Sequence, residues 1–129
     1  MPRTAADLQA RVVDLLERLD RGDIDGFMEC FADDPQFIIE SDGVRVRGRA
    51  QLRELAEAAF AEHVFIAHEF TNHVVDVERQ RYAGEMIYRG ELVNGRKNEM
   101  LNCNFVDFDD DGRVTRLITW HAAPHNPDA

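Results

Sequence analysis

Residues 98–121 read NEMLNCNFVDFDDDGRVTRLITWH, two runs rich in Val, Ile, Phe, Thr and Trp around Asp109-Asp110-Asp111-Gly112. Turn residues between β-branched and aromatic runs predict a β-hairpin. Just upstream, Asn94-Gly95 is the strongest short hairpin signal, because both residues tolerate positive φ. Working back, the strand-like runs cover roughly 65–77, 82–93, 98–108 and 113–122, a four-strand meander.

The N-terminal half has a different period. Leu8, Val12, Leu15, Leu16 and Leu19 form one helical stripe over residues 5–20, with Thr4 as its cap and Gly22 as its stop. Asp23 caps a short second helix carrying Ile24, Phe27, Met28 and Phe31, which Asp34-Pro35 is expected to end. Phe37-Ile38-Ile39 reads as a short buried strand and residues 44–47 as a brief edge strand. A third helix over residues 49–62 presents Leu52, Leu55, Ala56, Ala59 and Phe60. Helices first and strands afterwards define an α+β class, and 129 residues without a linker or repeat suit one domain, 1–129.

Charge narrows the partners. A formal net charge of −10 repels phosphate backbones and anionic lipid, so neither nucleic acid nor membrane is expected as a partner. No run approaches the ~18 apolar residues of a membrane span, and MPRTAADLQA has no signal-peptide core; a cytoplasmic setting is the expectation. There the two cysteines, Cys30 and Cys103, are expected as buried thiols rather than a disulfide.

The turns also assign faces. Taking Asn94-Gly95 as a two-residue turn sets Glu85 opposite Asn104, Ile87 opposite Asn102 and Arg89 opposite Met100. A four-residue loop at 109–112 sets Asn104 beside Leu117, Asn102 beside Thr119 and Met100 beside His121. A turn at 78–81 adds Val74, Asn72 and Phe70 to the same face. The other face holds His73, Val75, Met86, Tyr88, Leu101, Cys103, Phe105, Ile118 and Trp120. A one-residue error in any turn would exchange faces beyond it. Both faces are too apolar for open water, so one should cover the helices and the other a second copy, giving a homodimer through the sheet. Burial alone favours the Leu101/Phe105/Trp120 face against the helices; the reverse makes a mixed polar and apolar wall suited to a small-molecule ligand.

The stretch GDIDGFMECFADDPQFIIE, the helix beginning GRAQLREL and the later DDGRV turn resemble the nuclear transport factor 2-like superfamily, with its ketosteroid isomerases, SnoaL-type cyclases, scytalone dehydratase and limonene epoxide hydrolase. The resemblance covers nearly the whole chain. It implies a cone-shaped, curved, mixed but mostly antiparallel sheet with three N-terminal helices on its concave face. It also turns the Asn104 row toward the pocket. Aligned on the isomerases, the catalytic tyrosine falls on Leu15, the general-base aspartate on Ile39 and the oxyanion-hole aspartate on Asn104. Two of those three roles are lost, and the cyclase acid falls near Ala122, so neither of those mechanisms carries over.

The resulting candidates are as follows. Asn104 and Asn102 are neutral donors able to hold a carbonyl or enolate oxygen, or else a polar wall satisfied by itself. Glu85 under apolar cover could serve as a general base, or simply pair with Arg89 or face solvent. His121 is a proton shuttle or a rim histidine. Arg89 could hold a carboxylate-bearing ligand, and Asn72, Thr119, Leu15 and Ile39 complete the expected binding wall. His63, His68 and His73 recur every five residues, a spacing that fits neither one strand face nor one helix face, so no metal site is expected. Asp107-x-Asp109-x-Asp111-Gly112 begins like a calcium loop but has Ile118 where a bidentate Glu is required. With no phosphate loop, nucleophile elbow or CxxC, the reading is a cofactor-free isomerase, dehydratase, cyclase or hydrolase working by proton transfer on a small apolar molecule. The alternative is a non-catalytic binding or dimerisation module of the same fold.

Overall fold

A computed structural model describes residues 2–122. Helix α1 (Ala5–Asp20) starts where Thr4 Oγ1 accepts a hydrogen bond from Asp7 N at 3.1 Å. It stops at Gly22, whose φ of +76° suits a residue without Cβ. Its stripe buries Leu8, Val12, Leu15 and Leu16, each contributing on the order of 1.5–3 kcal/mol by leaving water. Asp23 caps α2 (Ile24–Glu29) through Gly26 N at 2.9 Å.

The helix does not run on to Asp34. Strand β1 (Phe31–Ile39) begins two residues after it, and Pro35 sits inside the strand. Its missing N–H is tolerated because the ladder skips there: Phe31 pairs with Val114, and pairing resumes only at Gln36–Arg116. A 3-10 turn (Glu40–Asp42), strand β2 (Val44–Arg47) and α3 (Arg49–Glu62) follow. The four long strands are β3 (His63–Asp76), β4 (Arg81–Leu92), β5 (Lys97–Phe108) and β6 (Val114–His121).

The six strands form one sheet in the order β2-β1-β6-β5-β4-β3. Every neighbouring pair is antiparallel except β1 and β6. This is the expected α+β cone, a curved mixed sheet with three helices on its concave side. The core lies between them, where Phe27, Phe31, Leu52, Tyr82, Met86, Val106 and Leu117 meet the α1 stripe.

One turn departs from expectation and carries a large consequence. The β4–β5 loop contains three residues, 93–95: Leu92 N donates to Arg96 O at 2.8 Å and Gly95 N to Leu92 O at 2.9 Å. Gly95 has φ +87° while Asn94 does not have positive φ, so the two-residue turn with both central residues left-handed is replaced by a longer loop closing on a left-handed glycine. Pairing slips by one residue, to Met86–Asn102 and Glu85–Cys103. The β5–β6 hairpin differs from expectation by two residues, which preserves faces: Asn104 lies opposite Thr119 and Asn102 opposite His121. The β3–β4 hairpin also differs by two from Asn72 onward, with Asn72 opposite Glu85, but a further shift between Phe70 and Asn72 sets Phe70 opposite Met86 and keeps it on its expected face. As a result β4 and the Asn72–Asp76 part of β3 are turned over relative to β5 and β6.

Candidate functional site

The inner face of β4 is set by strict alternation. Tyr82, Gly84, Met86, Tyr88 and Gly90 are all buried, and the sequence repeats Tyr-x-Gly twice. Each tyrosine lies along the strand over the glycine two residues on. A Cβ on Gly84 would collide with the Tyr82 hydroxyl and one on Gly90 with the Tyr88 hydroxyl, so a side chain at either position would have to displace the tyrosine.

Facing these tyrosines across the pair is β3, and here the five-residue histidine spacing finds its explanation. The β3–β4 ladder shifts between His63 and Phe65 and again between Phe70 and Asn72. Each shift adds one residue to the strand, so five residues cover an even number of ladder steps and all three histidines turn inward. His73 Nδ1 meets the Tyr82 hydroxyl at 2.6 Å. His63 Nδ1 donates to Ala59 O at 2.5 Å, which leaves Nε2 to accept from the Tyr88 hydroxyl. His68 Nδ1 donates to Asp20 Oδ1 at 2.7 Å, while the His68 backbone N donates to Asp20 Oδ2 at 2.9 Å. Asp20 is the last residue of α1, an unfavourable place for a carboxylate on helix-dipole grounds. Together the helix end and the carboxylate put negative charge beside the His68 ring. Its Nε2 has no hydrogen-bond partner among the described residues.

Between the helices and this face lies a cavity of about 230 Å³, large beside the ~150 Å³ that accommodates benzene. Its walls are mostly apolar, with Leu16, Phe27, Phe37, Leu52, Met86 and Leu117 among them. The polar groups are His63, His68, Tyr88, Asn102, Asn104, Thr119 and His121. No Asp, Glu, Lys or Arg is among the described lining residues, although such residues make up 31% of the chain. Asn104 and Thr119 are 6% and 7% exposed. Three atoms here, Asn104 Nδ2, Asn102 Oδ1 and Thr119 Oγ1, are buried without a partner. An unmade buried hydrogen bond costs about 1–3 kcal/mol, a cost that a ligand oxygen or hydroxyl at this spot would remove.

Five of the expected site residues therefore share the cavity: Asn104, Asn102, Thr119, His121 and Ile39. His121 Nε2 is 3.5 Å from Asp42 Oδ2, and its backbone N donates to Ser41 Oγ. The remaining four do not reach it. Glu85 is exposed on the outer face, where its Oε1 accepts from Asn72 Nδ2 at 3.0 Å. The one-residue slip at Gly95 put both there, so neither the general-base placement of Glu85 nor the binding-wall placement of Asn72 stands. Arg89 shares that outer face and pairs with Glu69 at 2.7 Å and Glu99 at 3.3 Å. The Glu69 hydrogen bond holds its guanidinium above the usual range, and it cannot bind a ligand inside. Leu15 is sealed in the core at 0% exposure, leaving Leu16 and Leu19 to form the wall.

His68, Asp20, His63 and Tyr88 were missed from sequence. A helix-terminal aspartate and the doubled Tyr-x-Gly were the available signals. The calcium-like stretch is an ordinary turn, with Asp109 Oδ1 accepting from Asp111 N and Arg113 N. Both cysteines are free thiols pushed up in pKa, chiefly by burial.

A curved sheet and three helices bounding an apolar pocket that is open on one side, with a few convergent polar groups, define a small-molecule-pocket fold. The model of the SnoaL-like domain matches residues 12–117, and the chain belongs to that family. Among proteins of curated function none matches it in sequence. Solved structures similar to it include a Novosphingobium aromaticivorans protein assigned provisionally as an aromatic ring hydroxylase, with TM-score 0.80 and 23% identity over 92% of this chain and 90% of that one. SalBIII, an epoxide hydrolase/cyclase-like enzyme of pyran ring formation in salinomycin, has TM-score 0.81 and 12% identity over 91% and 92%. An LEH-like epoxide hydrolase of M. tuberculosis has TM-score 0.78 and 17% identity over 92% and 84%. At these identities what is shared is the fold.

Proposed function

We propose that this protein is an enzyme of proton transfer acting on a small, uncharged organic molecule held in the cavity. The observation that carries the reading is the convergence of an aspartate-held histidine and three unpartnered buried polar atoms on one apolar space. Asp20 fixes the tautomer and orientation of His68, so Nε2 can accept a proton from a ligand carbon or hydroxyl. Asn104 Nδ2 and Thr119 Oγ1 are placed to donate to the oxygen on which negative charge develops, and Asn102 Oδ1 to accept from a ligand hydroxyl. His121 and Ile39 close the end of the binding wall. The absence of fixed charge among the described lining residues argues for a neutral ligand, since an anion would meet no cation and would feel Asp20 behind His68. Isomerisation, dehydration, cyclisation and epoxide opening all suit this arrangement, and neighbours of the fold named as hydrolase and cyclase-like enzymes lend support.

The test is exchange of the α-hydrogens of a neutral two-ring ketone, 1-tetralone, in D2O. Wild-type protein should catalyse it, and His68→Gln should lose about 10²-fold or more while still binding the ketone. A folded wild type that binds 1-tetralone without exchanging it would favour a ligand-binding module instead.

The outer sheet face supports the homodimer as part of the same proposal. Leu101 is 63% exposed and Val74 61%, and Phe105 and Trp120 stack edge to face beside them, an apolar patch of the kind that marks interfaces. Sedimentation should show a dimer that Leu101→Asp converts to monomer; a monomeric wild type would refute it.

A further inference from the structure

A second chain of hydrogen bonds reaches the cavity, and the reaction of His68 does not use it. The carbonyl of Ala59, near the C-terminal end of α3, accepts from His63 Nδ1, and His63 Nε2 faces the Tyr88 hydroxyl. Gly90 leaves the space in which that hydroxyl lies. His63 has two sides. It lines the internal cavity together with Tyr88, and it also lines a groove on the outside of the molecule beside Asp20, Phe60, Val64, Phe65 and Ile66. The ring thus forms part of the wall between ligand and solvent.

We propose that Tyr88 and His63 form a second catalytic pair, which gives a proton to an oxygen of an uncharged carbonyl or hydroxy-carbonyl ligand and takes it back when the carbonyl re-forms. The inference rests on His68 as the base. Helix-end anchoring of Nδ1 keeps Nε2 directed at Tyr88 in both charge states. With neutral His63 the phenol donates to Nε2 and turns an oxygen lone pair to the cavity. With protonated His63, Nε2–H donates to the phenol oxygen, and the phenol hydrogen turns to the ligand. In the step itself the ligand C–H bond breaks to His68 Nε2 and its electron pair enters the new C=C bond. The carbonyl oxygen takes the Tyr88 proton as Tyr88 takes one from His63 Nε2; when the carbonyl re-forms, the enol proton runs back through Tyr88 to His63 Nε2, and His68 exchanges its own proton with solvent before returning it to carbon. Burial and the charge of Glu62 hold the Tyr88 phenol above its ordinary range. The charged and titratable groups around His63 are Asp20 of α1, Glu62 of α3, His68 of β3 and Tyr88 of β4.

The same 1-tetralone exchange, with the dissociation constant measured in parallel, tests the pair. Tyr88→Phe removes one oxygen and should slow exchange by about 10²-fold with binding within about twofold of wild type. His63→Ala should lose as much and recover when imidazole is added, because free imidazole can enter the groove; imidazole should not rescue Tyr88→Phe. Exchange by Tyr88→Phe at the wild-type rate would overturn the proposal. So would a folded His63→Ala whose loss imidazole leaves untouched, since that marks a merely structural ring. His68→Gln separates the two readings: if it is inactive while Tyr88→Phe is fully active, the base stands and the pair falls. An inert wild type would remove both.

Discussion

His68 and His121 both face the cavity, and their surroundings differ in the way that matters for a base. His68 donates two hydrogen bonds to one carboxylate, at 2.7 and 2.9 Å, with Asp20 only 19% exposed. His121 stands 3.5 Å from Asp42, which is 52% exposed. A carboxylate in water shares its attraction with solvent and fixes little, whereas a shielded one bonded to both ring and backbone fixes tautomer and direction. The histidine that was easy to notice is the loosely held one. His68, whose spacing spoke only against a metal site, is the firmly held one.

Breaking the stronger pair should have the largest effect. Asp20→Asn removes the charge and keeps the shape, and turnover should fall about 10²–10⁴-fold, read as kcat with binding retained. Next comes Asn104→Leu, expected to cost about 10² in kcat. Because it removes an unpartnered buried donor, it should leave thermal stability unchanged or raise it, by on the order of 1 kcal/mol. A loss of both activity and stability would mean that Asn104 is structural.

The third inward histidine sharpens the contrast, since His73 serves a structural tyrosine. Burial pushes the Tyr82 phenol up to about 12 from 10.0. The folded state therefore keeps a proton that the unfolded chain begins to lose near the lower value, and the associated stability is intact below it and lost as pH rises toward the higher one. Denaturation followed across that alkaline range should show the slope, and Tyr82→Phe should flatten it. Smaller still, Asp42→Asn should change kcat by less than about threefold, as befits an exposed pair. Glu85→Gln should have no effect on exchange, because Glu85 lies on the other side of the sheet.

The distribution of these residues also shows what a sequence can reveal. Both helix caps, the stripe of α1, the four long strands and the β5–β6 wall were legible, because each depends on local periodicity or on a turn whose error was even. Asn104, Asn102, Thr119 and His121 were thereby found together. Glu85, Asn72 and Arg89 were misplaced by one extra residue in the loop closed by Gly95, a choice between two hairpin turns that Asn-Gly alone does not decide. The histidines of β3 were hidden by two bulges, which no periodicity reports because they exist only in pairing with β4. Asp20 and His68 are 48 residues apart, and only the curvature of the sheet under α1 brings them together.

The most direct measurement is a crystal structure of the protein soaked with 1-tetralone. The ketone is expected inside the cavity, with its oxygen in hydrogen-bond reach of Asn104 Nδ2 or Thr119 Oγ1 and its α-carbon facing His68 Nε2. A ketone bound elsewhere, or one lying in the cavity with its α-carbon turned away from His68, would contradict it.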